Sequence, residues 1–110
     1  MSETYEYQDG NGNRYIIKSE LMEYIPVKPS QSSTGFYDGG EYFKTEISKL
    51  QYEEIISVFS EAIQNKSCHI KNRVKGSGRI IVNERKGIKI YIISPNSEEL
   101  DKIEKTLHSF

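Results

Sequence analysis

Ser48-Lys-Leu-Gln-Tyr-Glu-Glu-Ile-Ile-Ser-Val-Phe-Ser-Glu-Ala-Ile63 is the stretch from which the architecture of this 110-residue chain can be worked out. Ser48 followed three residues later by Gln51 is a capping-box start, and Ile47 is placed to staple onto Tyr52. Tyr52, Ile55, Ile56, Phe59, Ala62 and Ile63 recur at helical spacing and make one apolar stripe, with Glu53, Glu54 and Glu61 on the watery side. An amphipathic helix therefore begins at Ser48, and everything before it reads differently.

Upstream, Thr4-Tyr-Glu-Tyr-Gln8 alternates, Asp9-Gly-Asn-Gly12 is turn chemistry, and the chain resumes as a strand over Asn13–Lys18, so a β-hairpin is predicted. Leu21–Val27 is a third strand, and Pro26 and Pro29 suggest an edge position for it. Glu41–Ile47 alternates as a fourth. Downstream, Cys68–Val74 reads as a strand, and Ile80–Val82 and Ile88–Ile93 as a hairpin across Glu84–Gly87. A last helix is expected from Asn96 as cap, with Glu99 three residues on and Glu98, Glu99 and Asp101 suiting the positive end of the helix dipole. Its stripe is Leu100, Ile103, Leu107 and Phe110. The order ββββαβββα predicts an α+β fold: a mainly antiparallel sheet with two helices on one face. One domain over residues 1–110 is expected at this length.

Hydrophobic residues make up 35% of the chain and the mean hydropathy is −0.65. No run approaches the roughly 18 apolar residues of a membrane span. Met1-Ser-Glu-Thr-Tyr-Glu-Tyr7 is acidic and lacks the apolar centre of a signal peptide. With a single cysteine, Cys68, ruling out an internal disulfide framework, a cytoplasmic protein is expected.

Several chemistries fail on residue type or spacing. Asp9, Asn11, Asn13 and Glu20 mimic a calcium loop, but its sixth position is Arg14 rather than glycine, so a hairpin turn is preferred. Cys68 and His69 are neighbours that would face opposite sides of a strand, and His108 is the sole other imidazole, so zinc is not expected. Neither a G-x-S-x-G elbow nor a Cys-His-acid set is present. His69 as an acid–base catalyst would stand nearly alone. The chain reads as a non-enzyme with no cofactor and no metal.

Charge is segregated. Lys66 to Ile90 holds eight basic residues against one acid, Glu84, while the remainder holds seven bases against fifteen acids, which nets to −1. Within the basic segment lies Arg73-Val-Lys-Gly-Ser-Gly-Arg79. It has neither P-loop nor G-x-G-x-x-G spacing, yet fixed positive charge beside backbone N–H groups suits a phosphate. Arg73, Lys75 and Arg79, with Gly76, Ser77 and Gly78 as backbone cradle, are the candidate ligand contacts. The loop Ser32–Gly40 adds Phe36 and Tyr37 as possible base-stacking rings. The near-neutral total argues against a duplex-DNA binder.

The leading expectation is a non-catalytic domain that senses or sequesters a nucleotide or similar phosphorylated small molecule. The alternative is a protein–protein interaction module, an inhibitor or accessory subunit, whose basic hairpin docks on an acidic protein partner. Tyrosine and arginine suit such surfaces. A weak single-strand binder using Tyr15 or Tyr91 is a third reading. A homo-oligomer is expected, because two helices cover one sheet face and the tyrosines outnumber what those helices would bury.

Overall fold

Tyr5 and Tyr7 alternate with Thr4, Glu6 and Gln8, and this two-residue period gives β1 (Thr4–Gln8) one face for the core and one for water. The computed structural model describes residues 4–27, 41–72, 74–84 and 86–108. Strand β1 is followed by β2 (Arg14–Lys18), β3 (Leu21–Ile25), β4 (Phe43–Glu46), α1 (Lys49–Gln64), β5 (Gly78–Glu84), β6 (Gly87–Ile93) and α2 (Glu98–His108). The strands form one antiparallel sheet in the order β4-β3-β2-β1-β5-β6. The α+β class, the antiparallel sheet and the two helices are as the sequence predicts.

Alternate residues of the inner strands are buried beneath both helices. Tyr7, Tyr15, Ile17, Met22, Tyr24, Ile80, Val82 and Ile93 meet Ile55, Phe59 and Ala62 of α1 and Leu100, Ile103 and Leu107 of α2. The Ser48 capping box forms as expected: its hydroxyl accepts from Gln51 N–H, and the Gln51 side chain accepts from Ser48 N–H at 2.8 Å. The hairpin between β1 and β2 is tied by Asp9, whose carboxylate accepts from Asn11 N–H, Asn13 N–H and the Asn13 amide. The Asn13 side-chain oxygen Oδ1 then accepts from Val27 N–H at 2.9 Å, pinning the end of the β3 segment to the turn.

Three local expectations are corrected. Among the described residues of Cys68–Val74 no strand forms: Lys66–Cys68 is a 3₁₀ turn, and one isolated bridge joins His69 to Ile93. The cause is local competition. Asn65 ends α1 and caps the turn through Ser67 N–H, and the Cys68 thiol donates back to the Ala62 and Asn65 carbonyls. Strand β3 is interior rather than an edge, because Pro26 lies one residue past its end and takes no ladder position. Ser97, not Asn96, stands at the head of α2, its hydroxyl accepting from Leu100 N–H. Tyr7, Tyr15 and Tyr24 are all buried on the helix side.

Gly78 opens β5 beneath α2. A Cβ there would lie 2.5 Å from Leu100 Cδ1 and 2.5 Å from the Tyr7 hydroxyl. Gly78→Ala is therefore expected to destabilise the fold by about 3 kcal/mol through overpacking, against about 1 kcal/mol for the cap variant Ser48→Ala. Urea unfolding of the two variants checks the ranking, with unchanged slopes and a larger midpoint loss for Gly78→Ala.

Candidate functional site

The residues between the helices and the sheet's last hairpin carry the charge segregation, and the fold distributes them over two separate places. Gly76 lies against the β1–β2 turn: a Cβ on Gly10 would come within 2.7 Å of Gly76 Cα. Ser77 is buried, its hydroxyl donating to the Val74 carbonyl at 2.7 Å and accepting from Val74 N–H, while Ser77 N–H also returns to Val74. Gly78 is paired with Ile93 in the sheet. The glycines thus permit close backbone packing, and the donors of Ser77 are already engaged. Lys75 and Gly76 line a cleft with the β1–β2 turn and the C-terminal half of α2.

Arg79 goes elsewhere. Its register opposite Gln8 puts it on the sheet face away from the helices. There Gln8 and Arg14 are also opposed, and Glu6 completes the set. Arg14 grips Glu6 with two bonds of 2.9 and 3.0 Å, Gln8 donates to Glu6 at 2.7 Å, and Arg79 Nη2 donates to Gln8 Oε1. Among the described residues the buried Arg79 Nε has no partner. Lys75 and Arg79 are therefore not brought together, since the sheet lies between them. Arg73, Phe36 and Tyr37 lie outside the described residues.

His69 is engaged as well: Nε2 contacts the Ala62 carbonyl at 2.8 Å, and the ring lies 5.5 Å from that of Tyr91. Burial pushes the Cys68 thiol up from its ordinary value, which keeps it an inert packing group. Among the described residues no cluster of metal-ligating side chains forms.

The β5–β6 hairpin offers a different kind of site. Strand β6 is the last of the sheet, and its residues Ile88, Ile90 and Ile92 oppose Asn83, Ile81 and Arg79. They therefore share the face without helices. Ile88 is 65% exposed and Ile90 54% exposed. At its far end β6 is covered: Ile70 N–H donates to the Ile92 carbonyl and Ser94 N–H to the Cys68 carbonyl. Because backbone direction alternates along a strand, Ile88 and Ile90 turn their N–H and C=O groups to that same outer edge. Among the described residues nothing pairs with them there. Lys86 and Lys89 stand beside this opening, and Lys71 follows the covering segment. Lys89 projects to the helix side, where Glu84 is 3.7 Å away.

The sequence pointed to the hairpin and its charge, but not to the isoleucines as exposed. Their alternation, Ile88-Lys-Ile-Tyr-Ile92, was the available signal; it identifies a shared face without saying that the face is uncovered. Comparison with protein-family models, with curated proteins and with solved structures finds no match for this chain.

The Glu6 cluster has a pH signature. The Arg14 hydrogen bond, aided by Gln8 and outweighing burial, holds the Glu6 carboxyl below its ordinary value of 4.5. A carboxyl lowered in the folded state stabilises above the unfolded value and loses that contribution as pH falls through the folded one. The stability advantage of the natural protein over Glu6→Gln should thus be full above 4.5 and shrink with acidification. Urea midpoints of both proteins at about pH 7 and about pH 3 test the sign.

Proposed function

We infer that the chain is a non-catalytic protein-interaction domain that takes an acidic, extended segment of a partner against the outer edge of β6. The observation carrying this reading is the exposure of Ile88 and Ile90 on a terminal strand whose nearby backbone groups are unpaired among the described residues. Edge strands of this kind bind extended peptides by strand addition: main-chain bonds supply affinity and alternate side chains supply selectivity. Here the side chains of an added strand would meet Ile88 and Ile90 on one face. On the other they would meet Lys89.

Charge favours an acidic occupant. Lys71, Lys86 and Lys89 lie around the opening, in a segment with eight bases and one acid. The same lysines disfavour uncontrolled pairing of two β6 strands, because like charges on an edge repel a second copy. An acidic segment removes that repulsion. A partner with the opposite charge is admitted, and self-association is resisted.

The phosphate-cradle reading has less support. Ser77 is engaged with Val74, Arg79 is engaged with Gln8 across the sheet, and the cleft containing Lys75 also contains Asp9 and Glu104, which oppose a ligand of net negative charge such as a phosphate.

Selection of binders from a random-peptide display library tests the proposal. Recovered peptides should alternate apolar residues with Asp or Glu and should slow hydrogen exchange at the Ile88 and Ile90 amides. Binding should fall at least about tenfold in Ile90→Lys, and by a similar factor in Lys86→Glu/Lys89→Glu. Peptides that bind these variants unchanged, or protect other amides, would overturn it.

A further inference from the structure

A second site lies on the helix side, in the cleft between the β1–β2 turn, the Val74–Gly78 loop and α2. Its volume is about 390 Å³, within the range of small-molecule sites. Two opposite charges face it without pairing with each other. Glu104 is fixed by Tyr7, whose fully buried hydroxyl donates to Oε2 at 2.7 Å, and its other oxygen accepts no hydrogen bond from the described residues. Lys75 lines the same cleft, and among the described residues it forms no ion pair with Glu104 or any other acid. Asp9, also at the rim, has its carboxylate occupied by three donors of the turn.

The cleft's inner wall is aromatic. The Tyr15 and Tyr24 rings are 4.8 Å apart, and His108 stands 6.2 Å from Tyr15. A neighbouring recess of about 270 Å³ continues over Tyr24 to Phe43 and Leu107. A carboxylate beside tyrosine faces is a setting for an ammonium group. A lysine lining the same cleft is a setting for a carboxylate. The adjoining recess over Tyr24, Phe43 and Leu107 suits an apolar side chain.

We propose that this cleft binds a free α-amino acid with a large apolar side chain. Glu104 takes the ammonium, Lys75 the carboxylate, and the recess at Tyr24 and Phe43 the side chain. The site is on the other face of the sheet from Ile88 and Ile90, and it stands or falls independently of strand addition at β6.

The test is a thermal-shift and NMR titration of the full chain with L-phenylalanine, L-leucine and L-methionine at about 10 mM, enough to register dissociation constants near about 1 mM. Phenethylamine and L-phenylalaninamide, which lack the carboxylate, and N-acetyl-L-phenylalanine, which lacks the ammonium, serve as probes. The expected result is stabilisation by the amino acids, perturbed amides at Lys75 and Glu104, and at least tenfold weaker binding of every charge-deleted analogue. Glu104→Gln keeps an oxygen to accept from Tyr7, so its ligand-free melting temperature should hold while phenylalanine affinity drops about tenfold or more. Lys75→Met should weaken phenylalanine while leaving phenylalaninamide unchanged. The proposal is overturned if no amino acid shifts the melting temperature or these amides. It is equally overturned if phenethylamine binds as well as phenylalanine, or if both variants bind phenylalanine like the natural protein.

Discussion

Tyr7 is the residue through which every layer of this protein is connected. It sits on the central strand, fully buried, with its ring 6.3 Å from Phe59 of α1 and 6.2 Å from Tyr15 of β2. Its hydroxyl donates to Glu104 of α2 and occupies the space that a side chain on Gly78 of β5 would need. A phenol buried this deeply requires a hydrogen-bond partner, since an unsatisfied hydroxyl in the interior costs about 1–3 kcal/mol. Glu104 provides one. Burial and the neighbouring carboxylate both drive the Tyr7 hydroxyl far above its ordinary value, so it acts only as a neutral donor. One side chain thereby fixes the tilt of α2, the entry of β5 and the orientation of the carboxylate in the cleft.

That packing changes the meaning of the glycine loop. Flexible glycines among basic residues resemble an anion cradle when only their order is known. In the fold, Gly78 is there because Leu100 and Tyr7 leave no space, Gly76 because its φ of +85° favours glycine, and Gly10 because Gly76 passes close by. The intervening serine closes the turn on itself. The positive charges then separate: Lys75 goes to the helix side and Arg79 to the open face. Proximity in sequence is not proximity in space when a strand runs between two residues and alternation sends their side chains to opposite faces.

The readable part of the fold was whatever local periodicity determines. The stripe of α1, its Ser48 cap, the β1–β2 turn at Asp9 and the hairpin ending at Gly87 all follow from spacing and turn chemistry over a few residues. What local reasoning misplaced was set by competition or distance. Cys68 had strand character, but its thiol is held by the carbonyls of the preceding helix end. Asn96 and Ser97 are both competent caps, and the backbone path selects the second. The Tyr7–Glu104 pair spans 97 positions and leaves no local mark. The exposed isoleucines of β6 were visible as a strand, but exposure depends on where the sheet stops.

The strand order also sets a timetable. Strand β1 has β2 on one side, reached through a tight turn, and β5 on the other, with Gln8 and Arg79 71 positions apart. During synthesis the first four strands can pair as a meander long before β5 exists. Until then β1 offers a bare edge, and Tyr7 lacks both the strand and the helix that later enclose it. The nascent chain therefore passes through a stage in which its largest fully buried side chain, among the described residues, borders an adhesive margin. Completion of the last third of the chain ends that stage, so a ribosome stalled before β5 would release a product prone to aggregate rather than a smaller working domain.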